Sequence, residues 1–439
     1  MQEINVNTSS VVAQVAGKPV GISVDYLRDM DSNRPAARPI AEALREMGAA
    51  WLRYPGGGKS DSHLWSTPPW DKPRPQIYRA YADWAVGHEV MDFDAFIALS
   101  RQVGAEPYVV VGCKRAAQTP ISVEQYFENA VEWVRYANVT KGYGVRYWEI
   151  GNENWLNDIN KPEEMAPLVV KFSRAMKAVD PTILVGSNGF GMSWWEKFLP
   201  VTAGDLDFLS ISNYPCSTWM GYDYYRSHAE VVLCEQARIA AEAIEKHAPP
   251  ADQARLFVAA VELNSMDYAT GGWPNRNNLG HALVTAEIFG QLLQTPRVRA
   301  ALLWNTRWVE PEPETIWYAL GKSNELLPAG RAVAAWGRFL HDTFVACTRT
   351  DTVVTFASHC EETGKLSVWL INKDLAPASV SLKIEGPHHY AAARRWCFHG
   401  QGPDDMQPLW EELGSAAVVG NQVKTLPLPG PSLTVLAVE

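Results

Sequence analysis

The stretch VRYWEIGNENW, residues 145–155, decides the fold and raises the question of function. Residues 145–151 are rich in aromatic and β-branched side chains and predict a buried strand. Gly151-Asn152-Glu153-Asn154 predict the loop that leaves it. Two carboxylates, Glu149 and Glu153, and two amides, Asn152 and Asn154, thus lie between Trp148 and Trp155. They form either a polar turn or the working edge of a site at a strand end.

Similar runs recur on both sides. VGISVD (20–25), AWLRY (50–54), PYVVVG (107–112), TILVG (182–186), DFLSIS (207–212), LFVAAVE (256–262) and RAALLW (299–304) bring the strand count to eight. Between most of them lie amphipathic stretches with helical spacing, such as RPIAEALREMG, FDAFIALSRQVG and NLGHALVTAEIFGQLLQ. Strands alternating with helices in this number over this length predict an α/β chain, a (β/α)8 TIM barrel over residues 17–343. A doubly wound open sheet is the runner-up, but it usually has a Gly-rich phosphate turn after its first strand. None occurs here.

After PAGRAVAAWGRFLHD (328–342) the texture changes to short alternating strands, TVVTFAS, KLSVWLIN, SVSLKIEG and LTVLAVE, separated by Gly and Pro. Residues 344–439, with residues 1–16 as a further strand, predict an antiparallel β-sandwich domain.

Composition narrows the function classes. The formal net charge is −10 with no basic run, which argues against nucleic acid and membrane surfaces as partners. No segment is apolar for long enough to span a bilayer. The opening MQEINVNTSS has no basic or apolar leader pattern, so no signal peptide is read there and localisation is unknown, secreted after processing or cytoplasmic. Six cysteines show no metal-like spacing, and no metal site is expected. Cys347 and Cys360 are left open as a pair. Tryptophan numbers 18, several in loops (Trp65, Trp70, Trp155, Trp219, Trp273, Trp308), and indole is a good platform for the C–H faces of sugars. Most tryptophans are expected in the core, and the loop ones are expected to line a cleft.

In a (β/α)8 barrel the βα loops converge at the C-terminal strand ends, so reactive side chains there are the test. Strand four ends in Asn152-Glu153 and strand seven in Glu262, two glutamates facing each other across a barrel mouth. Retaining glycoside hydrolysis needs such a pair about 5–5.5 Å apart. Glu153 is expected as acid and then base, its pKa held up by nearby negative charge and partial desolvation. Glu262 is expected as nucleophile, kept ionised by Arg53 at the end of strand two. Asn152 is expected to bind the sugar 2-hydroxyl, and Glu149, inside the strand, to be structural. Asp25, Lys59, Trp155, Asn213, Tyr214, Trp219 and Trp304 complete the expected substrate-binding set. No cofactor is needed for this chemistry.

Other chemistries fail on spacing. Arg53 to Asp61, RYPGGGKSD, ends in Gly-Lys-Ser, but the Walker pattern needs a glycine at position 53. His63, His88, His228 and His281 share no metal spacing, His281 is expected to pack within a helix, and no G-x-S-x-G follows a strand.

WEIGNENW together with LRYPGGGKSDSHLW and NLGHALVTAEIFGQLLQTPRVRAALLWN resembles the clan A retaining glycoside hydrolases, most of all family 51. Family 51 holds α-L-arabinofuranosidases and some endoglucanases, each a barrel with a β-sandwich. The resemblance runs over about residues 20–310 and implies the roles given above for Glu153, Asn152, Glu262 and Arg53. Three departures fall where the family's arabinofuranosyl pocket lies. Asp25 stands where a Glu is usual, Gly58-Lys59 where an Asn or Cys follows the double glycine, and Asn213-Tyr214-Pro215 where His-Tyr-Tyr is usual.

These departures and the tryptophan-rich loops point to a β-1,4-glucanase acting on an oligo- or polysaccharide, with α-L-arabinofuranosidase as the alternative. Another β-glycosidase or a non-catalytic carbohydrate-binding barrel is less favoured. Endo or exo action and assembly into homo-oligomers are left open.

Overall fold

The computed structural model describes residues 2–439 apart from 114–118, 157–159, 217–218, 220, 229, 267–275 and 309–317. Strand β1 (Gln2–Gln14) precedes β2 (Val20–Ser23) and β3 (Trp51–Tyr54), and a short antiparallel pair, β4 (His63–Leu64) and β5 (Gln76–Ile77), follows. Then come β6 (Glu106–Val111), β7 (Tyr147–Ile150), β8 (Leu184–Asn188), β9 (Phe208–Asn213), β10 (Phe257–Leu263) and β11 (Val298–Leu303). Parallel pairing runs β2-β3-β6-β7-β8-β9-β10-β11 and returns from β11 to β2, closing an eight-stranded barrel. Its strands are the eight expected from sequence, each end within two residues of the expected one.

Helices Ile40–Met47, Phe93–Val103, Val123–Val134, Pro162–Val179, Glu235–His247 and Leu279–Gln294 match the amphipathic stretches. Local chemistry fixes several ends. Asp92 accepts from Ala95 N at 2.9 Å, and Ser122 with Gln125 forms a reciprocal capping box. Met192–Thr202, between β8 and β9, is a helix with a weaker periodic signal and Pro200 near its end.

Side chains along the barrel strands alternate between the helices and the barrel axis. Trp51, Tyr108, Phe208 and Phe257 pack with Val110, Ala259, Val261, Ala300 and Leu302 as a cluster separate from the helix-facing core. Two residues further along the strands the inward positions become polar: Arg53 after Trp51, Glu149 after Tyr147 and Ser210 after Phe208. All three are buried.

Strand β10 breaks the alternation. Its register against β9 shifts between Ala260 and Glu262, leaving Val261 as an extra residue. Strict alternation from Phe257 would send Glu262 outward with Ala260. The bulge turns it toward the axis, where Arg53 meets it.

The remaining strands are β12 (Thr343–Cys347), β13 (Val353–His359), β14 (Leu366–Asn372), β15 (Ala378–Glu385), β16 (Ala392–His399), β17 (Leu409–Ala417), β18 (Gln422–Leu428) and β19 (Ser432–Val438). With β1 they form a nine-stranded sheet ordered β17-β16-β19-β14-β13-β12-β1-β15-β18. Residues from distant strands, Ile4, Val368, Leu382, Leu426 and Leu436 among them, share one core, so the sheet folds over on itself in the manner of a sandwich. Strict antiparallel pairing does not hold: β1 is antiparallel to β12 but parallel to β15 from Gln2 to Asn7. No tight hairpin joins β1 to β15, so nothing local dictates its direction.

The sheet docks on the barrel through Trp336 of helix Pro328–Gly337, stacked on Trp369 at 4.3 Å, with Trp369 Nε1 donating to Ala335 O at 2.7 Å. None of the six cysteines forms a disulfide. Cys347 and Cys360 do not pair, and Cys347 Sγ faces Thr355 O at 3.2 Å.

Candidate active site

The barrel's C-terminal strand ends surround a cavity of about 810 Å³. Glu153, Trp155, Asn213, Tyr214, Glu262 and Trp304 line it, as expected from their strand-end positions. Glu153 follows β7 with φ +43°, a left-handed conformation that costs free energy for a residue other than glycine. The surrounding loop holds it there. Asn154 N donates to Asn188 Oδ1 at 2.6 Å, Asn188 Nδ2 donates to Gly151 O at 2.8 Å, and Asn160 Nδ2 donates to Asn154 O at 3.1 Å.

Arg53 organises the floor of the site. Its Nη1 donates to Glu262 Oε1 at 2.8 Å, and its Nη2 donates to Glu149 Oε2 and to Asn152 Oδ1, each at 2.9 Å. Arg53 is fully buried. Burial works against its charge, but Glu149 and then Glu262 outweigh that, and its pKa lies above the ordinary arginine value. Glu149 also accepts from Ser210 Oγ at 2.7 Å and Asn188 Nδ2 at 3.3 Å, so its four hydrogen bonds anchor Arg53 from below.

Glu262 Oε2 accepts from Tyr214 O–H at 2.9 Å, leaving the carboxylate clamped from two sides. The sequence led us to expect a simple cation holding Glu262 ionised. The cation is there, yet burial raises the Glu262 pKa above the usual glutamate value, with Arg53 and Tyr214 pulling it down and Glu149 pushing it up. Arg53 is shared between two carboxylates and cannot offset the burial of both.

Other expected ligands sit elsewhere. Asp25 and Lys59 are completely buried as an ion pair, Lys59 Nζ to Asp25 Oδ1 2.8 Å, and do not line the cavity. Arg53 and Asn152 lie just beneath its surface rather than in its wall. Trp219 is buried, stacked on Tyr225 at 5.8 Å, and Trp65 is a core residue stacked on Trp133 at 6.1 Å. Neither is a cleft platform, because each is consumed by aromatic packing. Trp273 falls outside the described residues.

Phe190 and Val232, overlooked in the sequence, line the cavity although 43% and 54% exposed. Phe190 stacks on Trp155 at 4.5 Å and 29°, extending an apolar shelf from the loop that carries Glu153. Its signal was available, since Phe190 lies two residues beyond the end of β8, at a strand end of the same barrel.

A closed parallel barrel with glutamates at two strand ends, one of them clamped by a buried arginine, has the frame of a clan A retaining glycoside hydrolase. A family model described as "Alpha-L-arabinofuranosidase 1 domain" matches residues 43–191. Alpha-L-arabinofuranosidase C of Emericella nidulans is 26% identical over 287 residues, 58% of this chain and 54% of that protein. An intracellular exo-alpha-(1->5)-L-arabinofuranosidase of Streptomyces lividans is 26% identical over 196 residues, 40% of this chain and 29% of that protein. The chain spans about half or less of the length of the curated relatives it matches. Among solved structures, the alpha-L-arabinofuranosidase of Thermotoga maritima superposes over all of both chains with TM-score 0.78 at 19% identity. CelM2, a bifunctional glucanase-xylanase from a metagenome library, covers 99% of this chain and 98% of its own with TM-score 0.67 at 15% identity. The chain is therefore like the family 51 glycoside hydrolases in sequence and fold, and its curated relatives are named as arabinofuranosidases rather than glucanases.

Proposed function

We propose that this chain is a retaining glycoside hydrolase that releases α-L-arabinofuranosyl groups. The observation that carries the reading is the clamp on Glu262. Its carboxylate is gripped by Arg53 and Tyr214 at the wall of a cavity that Glu153 also lines. The comparisons favour the arabinofuranosidase alternative over the β-1,4-glucanase that the tryptophan count had suggested, and two of the loop tryptophans counted toward a cleft, Trp65 and Trp219, are core residues.

In the first step Glu262 attacks the anomeric carbon. The glycosidic C–O bond breaks and Glu153 gives its proton to the departing oxygen, leaving a glycosyl ester on Glu262. In the second, Glu153 takes a proton from a water that attacks the same carbon, and Glu262 leaves. Arg53 and Tyr214 direct their donors at the Glu262 carboxylate, which carries charge before the first step and again after the second. Asn152 Oδ1 accepts from Arg53, and its NH₂ group is a donor suited to a sugar hydroxyl. The Trp155–Phe190 shelf beside the acid suits the flat apolar face of a leaving group, either a pyranose ring or an aryl group.

The test is hydrolysis of 4-nitrophenyl α-L-arabinofuranoside, 4-nitrophenyl β-cellobioside and carboxymethyl cellulose by wild type, Glu153→Ala and Glu262→Ala. Preferential cleavage of the arabinofuranoside, with losses of about a thousandfold or more in both variants, is expected. Preference for cellobioside or cellulose would restore the glucanase reading. Undiminished variants would remove both glutamates from the mechanism.

A further inference from the structure

The Asp25–Lys59 pair lies under two rings of the cavity wall. Lys59 Nζ is 4.4 Å from the centre of the Trp308 ring and 5.7 Å from that of Trp304. The two indoles meet edge to face at 5.8 Å and 63°, and Trp84 braces Trp308 from another side at 6.0 Å. Both Trp304 and Trp308 line the cavity with Glu153 and Glu262, whereas Lys59 and Asp25 are fully buried. Gly57 lets the loop run this close, for a Cβ there would run into the Trp304 ring.

An ammonium removed from water and held against an aromatic face attracts it more strongly than one at the surface. An ion pair with no exposure is costly to build, because both charges lose their hydration. Lys59 is anchored by Asp25 and has an indole face, not open cavity, within reach. The loop between Trp304 and Trp308 is tied to the same place, with Thr306 Oγ1 accepting from Asp25 N at 3.1 Å and donating to Asp29 Oδ2 at 2.6 Å.

We propose that Lys59 is a positioning residue: anchored by Asp25, it holds Trp308 against Trp304 as an aromatic wall, and this wall rather than either charged group meets the bound sugar. The inference deepens the glycosidase reading and rests on it for the identity of the ligand. It makes the pocket selective for a sugar that presents C–H groups on that side.

Lys59→Met alone would strand a buried Asp25 carboxylate and could fail to fold, so the test uses Asp25→Asn with Lys59→Met, which removes both charges at similar volume. A crystal structure of this double variant should show the Trp308 indole moved from its place over residue 59. An unmoved indole overturns the proposal whatever the activity. On 4-nitrophenyl α-L-arabinofuranoside, the double variant and Trp308→Leu should each raise KM about tenfold, with kcat within about threefold of wild type. Combined, they should do no more than either alone, because they act on one element. Multiplying effects would mean that the charged pair touches the sugar directly, and would overturn it. If wild type does not cleave this substrate, the arabinofuranosidase reading fails, and the crystal structure still decides the role of Lys59.

Discussion

Arg53 Nη1 lies 2.8 Å from Glu262 Oε1, while the same guanidinium holds Glu149 and Asn152 through its other nitrogens. One planar fork thus joins the ends of β3, β7 and β10, fixing the angle at which Glu262 faces the cavity.

Arg53→Met should both destabilise the barrel and abolish turnover, since it leaves two buried carboxylates without their cation. Removing one partner of such a buried group costs about 3–5 kcal/mol. Arg53→Lys should restore much of the stability but little of the activity, because a single ammonium cannot serve three acceptors in fixed geometry. Thermal unfolding alongside kcat/KM separates the two effects. An active Arg53→Met enzyme would refute the clamp.

The pH profile follows from Glu262. A nucleophile must be ionised, so activity falls as pH drops through its folded-state pKa. Burial raises that pKa, which places the acid limb of kcat/KM above the ordinary glutamate value. Tyr214 lowers it, so Tyr214→Phe should move the limb to still higher pH. A limb that moves down or stays fixed would break the assignment of Glu262 as nucleophile.

Gly57→Ala should be far more damaging than a one-methyl change in a loop. Gly57 has φ +61°, and an added Cβ meets the Trp304 ring. Overpacking and the left-handed backbone together should cost about 2–4 kcal/mol and displace Trp304 from the cavity wall. Urea titration and KM for the arabinofuranoside are the readouts, and a wild-type result for both would disprove the close packing.

Phe190→Ala should leave stability within about 0.5 kcal/mol, because the ring is 43% exposed. It should raise KM several-fold for substrates with a sugar or aryl leaving group stacked on the Trp155 shelf. Arabinofuranosides with a methyl leaving group should be unaffected. Equal effects on both kinds of substrate would take the shelf out of leaving-group binding.

Two buried histidines contribute to the loss of stability in acid. His63 and His281 are both pushed down to about 3 by burial, against about 6.5 unfolded. Between these values the unfolded chain binds the extra protons, so stability is complete above about pH 6.5 and is lost as pH falls toward 3. Each contributes about 1.4 kcal/mol per pH unit in that window. His63 is ringed by Tyr26, Tyr54 and Trp133, so His63→Phe should flatten the urea-derived stability profile between pH 6.5 and 4.5. An unchanged slope would show that His63 does not titrate on unfolding.

Much of this protein is legible along the chain. Eight β-rich runs separated by 3.6-residue periodicity favour a barrel over a doubly wound open sheet, since no Gly-rich phosphate turn follows the first run. The strand-end rule also picks out Glu153, Glu262, Arg53 and Asn152, which the fold gathers at one end of the barrel. The sheet's strand directions were less legible, since β1 meets β15 from the far end of the chain and no turn links them.

Tertiary structure decided what the local pattern left open or misdirected. Alternation along β10 assigns Glu262 to the outer face, and only the extra residue Val261, visible as a slip against β9, turns it inward. Asp25, Lys59 and Trp219 carry the composition of ligand-binding residues, but long-range packing closed Trp304, Trp308 and Tyr225 over them. Sequence determines which groups are polar and where each strand ends. Which of those groups remain open to a ligand depends on side chains distant in sequence, because burial is set by whatever packs on top.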